Sequence, residues 1–178
     1  MTELEMMRWV LGILITAGAL AVTVMYFFRN DENSAVAAVN SGDSRRVLQQ
    51  RLMSPSRVGG SIIPSTILES EVYETIQQNI RNGSIIRESS PIWDELEKMI
   101  AEVSPQFKSN MYVLAGGELK LSDLHMTLLI KCGVSPANIA ILVGRSKSTI
   151  TFRRKEMGKK FFDRDLDANS VDELIRLI

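Results

Sequence analysis

The chain has very little material for nucleophilic or metal chemistry. Its 178 residues include one cysteine, Cys132, and one histidine, His125. A lone cysteine excludes an intramolecular disulfide and a thiolate metal cluster. A lone imidazole excludes triads and metal sites that need two, and leaves His-based proton transfer a single candidate. No nucleophile–base pair or phosphate loop can be assembled from the other residues, so no catalytic, metal-binding or cofactor-binding residue is assigned and the chain is read as a non-enzyme. Net charge is missing too: 21 basic side chains balance 21 acidic ones, which is not the total of a strongly basic nucleic-acid binder. Nowhere do apolar and polar residues alternate for more than a few positions, so strands are not required and the fold class is expected to be all-α.

What the chain does have is segregation. Residues 9–28, WVLGILITAGALAVTVMYFF, carry no charge over twenty positions, enough at 1.5 Å per residue to span the roughly 30 Å core of a bilayer. The start MTELEMMR lacks the basic character of a secretory leader. This predicts a single retained transmembrane helix in the lipid bilayer, with Trp9 and Tyr26 at its interfaces. Arg8 precedes the span, whereas Arg29, Arg45 and Arg46 follow it, so the C-terminal side is expected to be cytoplasmic and residues 1–8 to lie on the other side. Residues 29–62, rich in Asn, Ser, Gly and Pro, read as a flexible linker with a helix-compatible piece near Ser44–Met53 and a span on the order of 30 Å.

A helical body is expected over 63–118. Ser65 or Thr66 can cap a helix carrying Leu68, Val72, Ile76 and Ile80 at four-residue spacing, closed by Asn82-Gly83. Ser90-Pro91 opens a second with Trp93, Leu96, Met99, Ile100 and Val103 inward, and a third around Phe107–Leu114 stops at Gly116-Gly117.

Residues 119–164 hold the most informative pattern. Ser122 is placed to cap a helix with Leu124, Leu128, Leu129 and Cys132 inward, closed by Gly133. Ser135-Pro136 opens the next, with Ile139, Ala140, Leu142 and Val143 inward and Gly144 at the turn. Ser146 caps a third, running to about Phe162, with Ile150, Met157 and Phe161 inward. Helix, short glycine turn and capped helix make a helix-turn-helix. The last helix offers short polar side chains near its start, suited to a major groove, with cations behind them for phosphate.

Charge concentrates at the same place. Residues 131–164 contain nine basic side chains (Lys131, Arg145, Lys147, Arg153, Arg154, Lys155, Lys159, Lys160, Arg164) and two acidic ones (Glu156, Asp163), a net of +7. Residues 30–130 sum to −4 and residues 165–178 to −3. The zero total hides a local field that attracts phosphate. The expected DNA-binding residues are Lys147, Ser148, Thr149, Thr151, Phe152, Arg153, Arg154, Lys155 and Lys159. His125 is read as a packing or surface residue and Cys132 as a buried free thiol.

At 119–162 the chain resembles the DNA-binding domain of LuxR-type response regulators. Ile139-Ala140, Val143-Gly144, Ser146 with Thr149-Ile150, and Arg154 fall at that family's IA, LG, S, TV and basic positions. The resemblance implies a LuxR-like tetrahelical unit in which Ser148, Thr149, Thr151, Phe152 and Arg153 lie on or beside the DNA-contacting face. Residues 67–178, through SEVYETIQQNI, WDELEKMI, SPQF and VDELIRLI, are also similar to membrane-anchored bacterial regulators that join tetratricopeptide repeats, a transmembrane helix and a terminal helix-turn-helix, here without the repeats.

The expected architecture is thus an N-terminal transmembrane helix, a linker and a C-terminal multi-helix domain ending in a tail helix at 165–178. The expected activity is DNA-binding transcription regulation at the cytoplasmic membrane. The expected partners are double-stranded DNA, the lipid bilayer through residues 9–28, a second copy of the chain, and RNA polymerase or a sensor protein. The alternative is a helical interaction module that has lost DNA, with VDELIRLI as its docking surface.

Overall fold

The computed structural model describes residues 42–53 and 63–178. These belong to one compact unit, and every element among them is helical. In chain order they are α1 (Gly42–Leu52), α2 (Ser65–Leu68), α3 (Glu71–Asn82), α4 (Ile92–Val103), α5 (Phe107–Leu114), α6 (Leu121–Lys131), α7 (Pro136–Leu142), α8 (Lys147–Phe162) and α9 (Ala168–Leu177).

The membrane-spanning part of the expected fold class is corrected. Among the described residues no helix is long and apolar enough to cross a membrane. The longest, α8, has 16 residues and a polar, cationic outer face, short of the ~20 apolar residues a span requires. Residues 1–41, including the stretch 9–28 on which the span was placed, lie outside the described residues.

Part of the linker is corrected as well. Its helix-compatible piece is a helix, Gly42–Leu52, but this helix is docked on α5, with Leu52 buried and Leu48 half-buried against the core, and is not free linker. Arg45 Nη2 donates to the Lys160 carbonyl at 2.6 Å and to Asp163 Oδ1 at 3.0 Å, and Gln49 Nε2 donates to the Phe161 carbonyl at 2.7 Å. These carbonyls are the orphaned acceptors at the end of α8, which the helix cannot satisfy itself. Asp163, in the left-handed conformation at φ 54°, ends that helix. Residues 29–41 and 54–62 lie outside the described residues.

The helix expected from Ser65 through Ile80 is two pieces. Ser70 breaks it: its extended backbone and a side chain accepting the Tyr73 N–H at 3.2 Å make it the cap of α3. That rotates the first turn, so Ile67 is buried and Leu68 is 46% exposed. The start of α6 also differs, because extended Lys120 occupies the cap position and Ser122 falls inside the first turn.

Around α6 the core closes from several sides. This helix packs against α4 and α9, and positions 123 to 130 are buried all round. A helix buried on every face lies at the centre of its domain. His125 stacks on Trp93 of α4, ring centroids 4.0 Å apart and planes 4° apart, while the Trp93 Nε1–H donates to the Arg87 carbonyl at 2.9 Å. Cys132 is fully buried, and burial pushes its thiol up to about 12, as expected for an inert interior cysteine.

Candidate nucleic-acid interface

The helix-turn-helix stands on α7 and α8. Ser135 caps α7, its Oγ accepting the Asn138 N–H at 3.3 Å, and Pro136 follows at the first helical position. Ile139, Ala140 and Leu142 are buried. The turn needs Gly144: its φ is +63°, and a Cβ there would lie 2.7 Å from the Ile85 Cδ1 atom. Ile86 holds the same turn from outside, its N–H donating to the Leu142 carbonyl at 2.8 Å. Ser146 then caps α8 by accepting the Thr149 N–H at 3.1 Å.

On α8 the inward stripe is Ile150, Arg154, Met157, Gly158 and Phe161, spaced as one face of a 3.6-residue helix. It packs on α7 and α9. Gly158 permits the close approach of α9, since a Cβ there would meet Val171 Cγ2 at 2.8 Å. With that face fixed, the outer face carries the exposed residues Lys147, Ser148, Thr149, Phe152, Lys155 and Lys159. At the tip, Ser146 Oγ lies 2.9 Å from Ser148 Oγ and 2.8 Å from Thr149 Oγ1, which ties the first-turn hydroxyls together. Thr151 is half-buried and its hydroxyl donates back to the Lys147 carbonyl at 3.0 Å. Arg153 is half-buried on the other flank.

Arg154 requires a correction. It is 2% exposed and bound to Asp172 of α9: Nε donates to Oδ1 at 2.7 Å and Nη2 donates to Oδ2, with a further bond to the Ala168 carbonyl at 2.9 Å. Arg176 Nη2 stands 3.7 Å from the same carboxylate. Burial raises the Asp172 carboxyl above its ordinary range, against the opposing pull of Arg154 and Arg176. A guanidinium held this way inside the fold is a strut between helices and is not presented to a phosphate.

Two other cations of the basic segment are also engaged within the fold. Lys131 Nζ donates to the Arg176 carbonyl at 2.8 Å and sits 5.6 Å from the Phe107 ring centroid; burial lowers its amine below the usual range. Lys160 Nζ donates to the Glu118 carbonyl at 2.7 Å. The outward field therefore comes from Arg145, Lys147, Lys155, Lys159 and Arg164, all exposed, with Arg153 beside them.

Lys147, Thr151 and Lys155 also form one wall of an open groove of about 500 Å³, whose other walls are the starts of α7 (Ser135, Pro136, Ala137) and α9 (Asp167, Ala168, Asn169). Asp167 caps α9 by accepting the Asn169 and Ser170 N–H groups; the Ser170 hydroxyl, which also donates to it, lowers its carboxyl most, with the two N–H bonds adding to the effect. The tail sequence VDELIRLI is folded onto α8 and α6, with Val171 and Ile175 buried. Its apolar face is used inside the domain.

Sequence reasoning missed the partners that fix α8. Asp172, Arg45 and Gln49 act on its inner face and its end from other helices, and Gly158 admits α9. Arg154 shares the stripe of Ile150, Met157 and Phe161, a position from which a long cationic side chain can also reach solvent. Compared with protein families, curated proteins and solved structures, the chain finds no match.

Proposed function

We propose that this chain binds double-stranded DNA and regulates transcription, with α8 entering the major groove. The observation that carries the reading is the division of α8. Its inner face is held by α7 and α9, while its outer face offers Ser148 and Thr149 at the tip and Lys147, Lys155 and Lys159 along the flank. A helix about 10–12 Å across fits a major groove about 12 Å wide. Hydroxyls near its start reach base edges, and ammonium groups behind them meet phosphates on either wall. The acidic excess lies in residues 30–130 and 165–178, and the +7 of residues 131–164 supplies the local attraction. A module of this size reaches specific affinity with a second copy on an adjacent half-site, so the acting species is a dimer.

The rival reading, a helical interaction module, placed its docking surface on the tail. The burial of Val171 and Ile175 weighs against that surface.

A gel-shift series with the full chain and a pool of random-centre duplexes tests the proposal. Wild type retains DNA and enriches a subset of sequences, and Lys155→Ala/Lys159→Ala retains much less. No retained duplex at low salt, together with a stable protein complex, would favour the interaction module.

A further inference from the structure

One side chain on α8 does not fit a purely polar contact surface. Phe152 is 63% exposed, although the inner face of its helix is already packed. At 100° per residue it lies about 160° around the axis from Arg154, directly opposite the buried stripe. Ser148 and Thr149 precede it by one turn, and Glu156 and Lys159 follow it on the same side, all exposed. Scattered apolar residues on a surface need no explanation. This one stands at the outermost point of the helix that carries the cations, where a docked duplex would press closest.

The major groove has one apolar feature, the 5-methyl group of thymine, and an aromatic ring is among the side chains that pack against it. Lysines along the flank hold the phosphates, which brings the ring to the floor of the groove. We infer that Phe152 is a specificity-determining residue that reads thymine through its 5-methyl group. This assignment rests on the DNA-binding reading of α8. Charge complementarity selects the occupant: a polyanion with an apolar group in its groove matches a phenyl ring set among Lys155, Lys159 and the Ser148/Thr149 tip. Glu156, 3.9 Å from Lys159, is the one carboxylate on this face, and it suits a base-edge amino group better than a phosphate.

The test uses two A·T-rich duplexes of one sequence, one with thymine and one with uracil in its place. Uracil keeps every hydrogen-bonding group of the groove and lacks only the methyl. The full chain is expected to bind the thymine duplex roughly fourfold more tightly for each methyl buried. Phe152→Ala, a change at an exposed site, is expected to bind both duplexes equally and to keep a salt-dependent affinity. Equal binding of both duplexes by wild type, or a thymine preference that survives in Phe152→Ala, would overturn the assignment and leave DNA binding by α8 standing. Retention of neither duplex at low salt would overturn both the assignment and the DNA-binding reading of α8.

Discussion

Arg154 of α8 and Asp172 of α9 form an ion pair in the interior of the domain, with exposures of 2% and 3%. The pair joins the candidate DNA-contacting helix to the tail helix at the level of Ile150 and Met157. Loss of one partner leaves a buried charge unsatisfied, whereas replacing both with apolar groups removes the charges together.

Arg154→Ala is therefore expected to lower stability by about 3–5 kcal/mol, read as a drop in the urea midpoint. The double change Arg154→Met/Asp172→Leu is expected to restore most of it. Loss of DNA binding in Arg154→Ala would then report unfolding, and wild-type stability in that variant would show that the pair carries no structural role.

Gly158→Ala separates helix propensity from packing. An isolated helix would gain up to about 1 kcal/mol from the change. Here the new Cβ meets the fully buried Val171 2.8 Å away, and overpacking of this kind costs about 1–3 kcal/mol. Thermal unfolding is expected to show net destabilisation, and a rise in Tm would mean that α9 can move away freely.

His125 gives a pH prediction. Burial lowers its imidazole below the ordinary 6.5, more than Glu88, Asp94 and Glu97 raise it. Below 6.5 the unfolded chain takes up a proton that the folded chain refuses. Stability is thus present above that pH and is lost as pH falls from 6.5 toward the folded value. His125→Phe keeps a ring against Trp93 and removes the titration, so its urea stability should fall less steeply than wild type from pH 7 to 5.5. Parallel pH profiles would contradict this.

How far the fold can be read from sequence depends on whether the signal is local. Ser135-Pro136, Gly144 and Ser146 mark the two helices of the motif because caps and left-handed turns are decided within a few residues. The inward set Ile150, Met157 and Phe161 follows from periodicity alone. Arg154 shares that stripe, but its partner Asp172 is 18 residues away on another helix, and nothing local distinguishes a buried arginine from a solvated one. The docking of α1 was equally illegible. Gln49 and Arg45 reach α8 across more than 110 residues, and a polar segment with a few apolar positions looks like a linker until its partner is in place. The break at Ser70 hid behind a four-residue spacing that continued through it. The outer face of α8 was legible as a list of exposed candidates, and the removal of Arg154, Lys131 and Lys160 from the outward field was not.

In the proposed function the cations on the outer face of α8 meet phosphate. Affinity for a duplex, measured by fluorescence anisotropy of the full chain across a salt series, tests it most directly. Each phosphate contact contributes a slope of about −0.9 to the log–log plot. Wild type should show a steep slope, and Lys155→Ala/Lys159→Ala a slope shallower by about 2 with its folding unchanged. An equal slope in both proteins, or no binding at low salt, would contradict the account.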